Sequence, residues 1–506
     1  MKHNTIIRRS AWTAAILALV TAPGYAETPD APALYKTHCA ACHGASRLGG
    51  QGPALIPGNL KRLRQKRAIN VIAKGRAATQ MPAFGEQLPA PAISALVDYI
   101  FTPLSEIPKW GQAEIEKSRI LNAAPPEIEQ PVFSADPRNL FVVVESGDHH
   151  ITILDGDKFE PIHRFKSRYA LHGGPKFTSD GRYVFFASRD GWITKYDLWS
   201  LTVLAEVRAG INTRNIAVSS DGRYVMVANY LPHTLVLLDA RDLKVIKILP
   251  VTDGKGQTSR VSAVYTARPR QSFIAALKDL KEVWEISYSD EGPPEYGPKF
   301  PVRRIKLDDY LDDFFFDQDY KYLIGAARNA KNGVVLDLLL GKKVADLDLT
   351  GLPHLGSGIT WKHGDTTLLA TPNLKTNEIS IIDMKSWKTI KRIKTLGPGF
   401  FMRSHENSPY AWVDVFFGPH RDAIHVIDKK SLEIIKTIRP EPGKTAAHVE
   451  FDRTGRHALV SIWDMKGALV VYDATTLKEI KRIPMVKPSG KYNVHNKITL
   501  SEGTSH

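Results

Sequence analysis

From about residue 130 the chain is a succession of short β-rich apolar runs separated by a recurring polar phrase. A turn containing Asp or Gly leads into an aromatic or aliphatic strand. After a polar break a second strand ends near Asp, and a Lys-rich third strand follows. The turn is seen in Ser179-Asp180-Gly181-Arg182-Tyr183-Val184, Ser220-Asp221-Gly222-Arg223-Tyr224-Val225, Asp319-Tyr320-Lys321 and Arg453-Thr454-Gly455-Arg456. The strand ends repeat as Ile153-Leu154-Asp155, Leu237-Leu238-Asp239, Ile381-Ile382-Asp383, Val426-Ile427-Asp428 and Val471-Tyr472-Asp473. Units near residues 136, 180, 221, 268, 319, 364, 408 and 454 number eight, spaced 41 to 51 residues apart. That period matches one four-stranded propeller blade, and the array must close into a ring to cover both faces of every sheet. The expectation is an all-β eight-bladed propeller over residues 131–506, with a central channel wide enough for a flat macrocycle.

Upstream the pattern is helical, over Ala31–His38 and Ala90–Phe101, and implies a small all-α domain at residues 27–103. Residues 104–130, with Pro108, Pro125 and Pro126, read as a linker. At the start, Lys2, Arg8 and Arg9 precede a short apolar stretch, Ala11 to Val20, and Gly24-Tyr25-Ala26 places small residues at a cleavage site. This is the pattern of a signal peptide over residues 1–26, and it predicts a periplasmic protein. No later run is long enough to span a bilayer.

At 506 residues and 43% hydrophobic, the chain can bury two cores. The formal charge of +15 is scattered along an exported chain, which argues against nucleic acid and for an acidic partner or anionic ligand.

The only two cysteines stand in Cys39-Ala40-Ala41-Cys42-His43, the attachment pattern for c-type haem. Two thiols at this spacing reach the two vinyl groups of one haem, and the adjacent imidazole reaches the iron. Downstream, Met81-Pro82-Ala83-Phe84-Gly85 presents a thioether in a Pro-punctuated loop. The order of helix, attachment site, Met loop and helix resembles a class I cytochrome c. The resemblance implies His43 and Met81 as iron ligands, a pair suited to electron transfer.

A cytochrome c fused to an eight-bladed propeller resembles the cytochrome cd1 family over nearly the whole mature chain. The resemblance implies a second haem, haem d1, held non-covalently over the channel. Its proximal ligand falls on His172, in Arg168-Tyr169-Ala170-Leu171-His172, and two arginines for the carboxylates of the macrocycle fall on Arg189 and Arg214. Guanidinium forks suit that bidentate role. On the distal side the family's nitrite reductases carry two histidines. One is matched by His354, in Leu352-Pro353-His354-Leu355-Gly356. The other falls in Tyr310-Leu311-Asp312-Asp313-Phe314, where this chain offers Asp312, and the arginine after the retained histidine is replaced by Ser357.

These departures resemble the branch of the family that works in haem d1 biosynthesis. There a propionate side chain of dihydro-haem d1 is oxidised to the acrylate of haem d1. The resemblance to this branch adds His448 and Tyr492 as pocket residues. Forming C=C from CH–CH removes two protons and two electrons, so the site needs a base and an electron sink; His354 is the expected base. Haem c then passes electrons singly to an external acceptor, a small cytochrome or cupredoxin. The tetrapyrrole is both substrate and product, and the recipient nitrite reductase is a further candidate partner. The competing expectations are a cytochrome cd1 nitrite reductase and a non-catalytic haem d1 carrier.

Overall fold

The computed structural model describes Met1 and residues 29–504, apart from 51, 62, 76–80, 107, 124–127, 172, 290–298 and 328–331. The signal-peptide expectation and His172 therefore lie outside the described residues.

The helical domain contains α1 (Ala31–His38), α2 (Ala40–His43), α3 (Pro57–Leu60), α4 (Gln65–Lys74) and α5 (Ala90–Phe101). Asp30 caps α1 by accepting a hydrogen bond from the Ala33 amide at 3.1 Å. Gly44, at φ 77°, ends α2 in a conformation that a β-carbon disfavours. Tyr35, Leu60, Ala68, Ile72, Phe84, Ile93, Leu96 and Ile100 close one apolar core around the Cys39 side chain.

The rest is a ring of eight antiparallel sheets, seven of four strands and one of five, built on the four-stranded unit that the repeat period predicts. From blade 2 to blade 8 the inner strands are Lys176–Phe177, Asn212–Val218, Val261–Ala267, Leu311–Phe316, Ile359–His363, Met402–Arg403 and Ala446–Phe451. Blade 1 takes its inner strand, Pro488–Asn493, from the far end of the chain and its other three from Leu140–Glu145, His150–Asp155 and Glu160–Lys166. Middle strands such as Leu140–Glu145 are buried throughout, because neighbouring blades cover both faces. Outer strands such as Lys388–Lys394 turn lysines to solvent and so protect an otherwise open sheet edge.

One end of the channel is closed by the C-terminus. Helix α6 (Gln112–Ser118) precedes the ring, and α7 (Val494–Thr499) follows its last strand. Across the channel, Arg268 of blade 4 donates to the carbonyls of Lys497 (3.2 Å) and Ile498. Asn496 donates to Glu450 and to the Phe451 carbonyl of blade 8, at 3.1 and 2.9 Å. The tail then pairs Gly503 with Thr360 of blade 6 and Ser404 of blade 7.

The segment expected as a linker does more than connect. Ile115 of α6 is fully buried in the core between blades 2 and 3, and Ile120–Leu121 adds a fifth strand to blade 2 beside Thr202–Arg208. The helical domain docks on the same blades. Leu48, Ala54 and Ile56 pack with Leu104, Trp110, Ile211 and Leu231. Arg208 donates to the Leu48 carbonyl at 2.7 Å and to the Asp190 carbonyl at 2.8 Å, with its guanidinium 4.7 Å from the Trp110 ring centroid. Asn59 donates to Ile211 and accepts from Asn212.

Arg208→Ala removes both carbonyl contacts and the Trp110 stack at once. It should weaken docking by about 1–3 kcal/mol, since buried carbonyls lose a charged donor. Calorimetry should resolve two melting transitions where the wild type shows closer coupling, with both domains still folded.

Candidate functional site

The first candidate site surrounds His43. Its Nδ1 lies 2.8 Å from the Pro53 carbonyl, which fixes the proton on Nδ1 and leaves Nε2 as the coordinating atom. Burial lowers its pKa, so the ring is neutral and its lone pair available. Gly52 lies flat against the ring, where an added β-carbon would sit 2.7 Å from Cε1. Cys39, which caps α1, and Cys42 are free thiols, as covalent attachment of haem requires. Tyr35 donates to the Gly44 carbonyl at 2.8 Å, tying the end of the attachment helix to the core. Met81 packs on the same core, in the loop that follows α4. These residues fit a covalent haem c.

The second candidate site is the channel wall around His354. His354 leads a short turn, Leu355–Ser357, positioned by a bond from its own amide to the Pro372 carbonyl at 2.9 Å. Its Nδ1 lies 2.6 Å from the Phe400 carbonyl, so Nε2 carries the lone pair. Nε2 stands 3.8 Å from Asp313 Oδ2. Burial lowers the pKa of His354, while Asp313 and the Phe400 carbonyl act in the opposite sense. Beside it a chain of rings leads from Phe400 to Phe401 (4.4 Å), His448 (4.7 Å) and Tyr492 (5.0 Å).

His448 is buried at φ 54°, and burial together with Lys491, Arg403 and Lys497 drives its pKa well below the usual value. Burial pushes the Tyr492 phenol up to about 12, so it is protonated at neutral pH. One carboxylate organises both histidine segments: Asp414 accepts from the amides of Phe400 (2.7 Å), Phe401 (3.0 Å) and His448 (3.3 Å).

Arg214 reaches across to the Ser262 carbonyl at 2.9 Å. Arg189 is placed by its backbone, which bonds Ala170 and Thr213. The chain on both sides of residue 172 is pinned against these groups. Leu171 bridges Ser188, Gly173 abuts Asn215 and the Arg214 carbonyl, and Gly174 lies against the Tyr492 ring. The structure thus brings Arg189, Arg214, His354, His448 and Tyr492 to one channel.

Asp312, the residue standing where the second histidine was sought, pairs instead with Lys278 at 2.7 Å. Its neighbour Asp313 faces His354. Sequence reasoning also missed Lys176, Tyr265, Arg403, Lys491 and Lys497. Lys491 is fully buried, donating to Ser461 Oγ at 2.9 Å and to the His448 carbonyl. Burial lowers Lys176 to about 8, and holds Lys491 and Lys497 well below the ordinary lysine value. A signal existed: Lys176, Asp313, Arg403, Glu450 and Lys491 all interrupt inner strands, where a buried sheet otherwise takes apolar residues. Cations at such cost are suited to an anionic ligand that restores their charge.

The family described as Cytochrome D1 heme domain matches residues 135–497. This chain belongs to that family. Residues 26–100 match a second family, described as Cytochrome C oxidase, cbb3-type, subunit III, which agrees with the haem c site around His43. Dihydro-heme d1 dehydrogenase of Pseudomonas aeruginosa is 58% identical over 487 residues, covering 95% of this chain and 97% of that protein. Nitrite reductase of Stutzerimonas stutzeri is 26% identical, covering 92% of each. The solved structure of dihydro-heme d1 dehydrogenase NirN in complex with DHE superposes with a TM-score of 0.89, over 92% of this chain and 99% of that one.

Cys39→Ser combined with Cys42→Ser should abolish covalent haem, read by haem staining of denatured protein. The propeller should still fold, because its core is separate. Met81→Ala should leave haem attached but lower its potential and alter its spectrum; an unchanged potential would assign the sixth position to another residue.

Proposed function

We propose that the chain is a periplasmic dihydro-haem d1 dehydrogenase, acting last in building haem d1. It oxidises a propionate side chain of the tetrapyrrole to an acrylate. The observation that carries this reading is the distal side. One imidazole, His354, points its free nitrogen at a carboxylate, and no second histidine stands at Asp312. A protonated imidazole pair would suit nitrite, whereas a neutral imidazole beside a carboxylate suits proton abstraction. The full-length likeness to the dehydrogenase, across both domains, supports the same reading.

The chain's own groups divide the work. His172, Arg189 and Arg214 hold the macrocycle through its iron and carboxylates, joined by Lys176 and Arg403 of the inner strands. His354 takes the proton at Nε2. His448 is the weaker base of the two, because Lys491, Arg403 and Lys497 all face it, whereas Asp313 faces His354. Tyr492, protonated and 5.0 Å from the His448 ring, closes the side wall. Cys39, Cys42, His43 and Met81 would hold haem c, which would supply a one-electron acceptor within the same chain. An external small cytochrome or cupredoxin takes the electrons onward, and the finished haem d1 passes to a nitrite reductase. A pure carrier has no use for an attached redox centre, which weighs against that alternative.

His354→Ala should still bind the dihydro precursor, since the cationic wall is intact. It should fail to remove two mass units from it, with a single-turnover rate lower by about 10² to 10⁴. Mass spectrometry of the extracted tetrapyrrole reads the outcome. Full conversion by this variant would reject His354 as base, and rapid nitrite consumption by wild type loaded with finished haem d1 would favour the reductase. An unchanged tetrapyrrole mass with wild type, given a competent oxidant, would favour the carrier.

A further inference from the structure

We propose that the exposed face of α4, with the segment that leads into it, docks an acidic one-electron acceptor protein. Lys61, Arg64, Lys66, Arg67 and Lys74 form this face. The inference rests on the dehydrogenase reading, which requires haem c to be discharged, and it assigns the surface where the acceptor binds.

Residues 31–85, the stretch that carries both attachment cysteines and Met81, hold nine lysines and arginines and no aspartate or glutamate. Six of the nine fall between Lys61 and Lys74. The five cations named are all exposed. Among the described residues the ion pairs begin at Arg119, so no carboxylate neutralises them. Blocks of one sign repel and mark interaction segments, whereas an ordinary solvated face mixes its charges. This block also works against its own helix. Lys66 and Arg67 lie in the first turn of α4, where the macrodipole is already positive, and no acidic residue offsets them. Local stability does not account for the cluster.

Position ties the cluster to the haem c site. Helix α4 packs Ala68 and Ile72 into the core that surrounds Cys39. Its last turn holds the Met81 loop directly: the amides of Phe84 and Gly85 donate to the carbonyls of Ile72 (3.0 Å) and Ala73 (2.9 Å). Leu48, Ala54, Ile56 and Asn59 of the same domain are taken up by docking on the propeller, while the α4 cations face solvent. Ile69, 38% exposed and one turn on from Lys66, supplies an apolar centre for a charged rim.

Kinetics fixes the chemistry of the partner. Each oxidation yields two electrons and haem c holds one, so an acceptor must bind, take one electron and leave, twice over. At each encounter the acceptor gains one electron and the protein loses one, with no bond made or broken. Electrostatic steering serves such traffic, because it speeds association without the large apolar interface that slows release. Complementarity then requires acidic groups around the acceptor's own redox centre.

The test uses the whole chain carrying haem c, reduced chemically and mixed by stopped flow with an oxidised acidic cupredoxin, so it needs no tetrapyrrole. Wild type should react fastest at low salt and slow by about tenfold or more between about 10 and about 200 mM ionic strength. Lys66→Glu combined with Arg67→Glu should react about 10- to 100-fold more slowly at low salt, with the salt dependence flattened or reversed. The same variant should react faster with tris(phenanthroline)cobalt(III), a cation, which a damaged haem site would not do. Acidic groups in a first turn suit the helix dipole, so the variant should melt no lower than wild type. NMR titration of the isotope-labelled cupredoxin should show shifts at its acidic face with wild type and none with the variant. A wild-type rate in the variant, equal slowing toward both oxidants, or shifts that persist in the variant would overturn the inference. Salt-sensitive capture by anionic phospholipid vesicles, lost in the variant while its cupredoxin rate is unchanged, would overturn it in favour of a membrane surface. Should wild type leave the dihydro precursor unoxidised, the dehydrogenase reading falls, while these rates and shifts still decide the docking.

Discussion

Every blade of the propeller buries apolar residues on both faces, and a sheet can do that only if it has a neighbour on each side. Eight sheets in a row would leave two faces in water, so the ring has to close. Pro488–Asn493 achieves this by pairing with Leu140–Glu145, more than three hundred residues away. The same strand carries Lys491 and Tyr492 into the channel, and α7 immediately after it closes the far end. Closure of the fold and construction of the site are therefore one event. The charged residues of the inner strands are tolerable only because the ring holds them in fixed positions against one another.

That confinement explains the chemistry around His354. Lys176, Arg189, Arg214, Arg403, Lys491 and Lys497 outnumber Asp313, Asp414 and Glu450 among the charges named here for the channel wall. Burial weakens the hold of the lysines on their protons. An anionic macrocycle supplies the missing countercharge, which gives binding energy to a ligand rich in carboxylates. The two imidazoles share this surrounding yet differ in strength as bases. His448 faces three cations, while His354 has a carboxylate among its neighbours. Asp414 locks the His448 backbone and the Phe400 segment whose carbonyl meets the His354 ring, and burial raises its own pKa to about 6.

The docked cytochrome belongs to the same design. Arg208 joins the Leu48 carbonyl, next to the haem-binding loop, to the Asp190 carbonyl beside Arg189. One guanidinium thus joins the two domains at a boundary that α6 and its following strand reinforce.

Local patterns in the chain were enough for much of this. Helices over Ala31–His38 and Ala90–Phe101, the eight blades and the Cys39-Cys42-His43 attachment site follow from periodicity and motif, because each is encoded by residues near one another in sequence, whereas His354 was singled out only by the resemblance to a family. What the segment at residues 104–130 does, which aspartate faces His354, and which lysines line the channel could not be read that way. Asp312 and Asp313 are adjacent and chemically identical, and strand alternation sends them to different sides. Only the position of blade 6 decides which one meets an imidazole. The residue types were set by the sequence, but their electrostatic partners were set by ring closure, because a charge is tuned by what surrounds it in space.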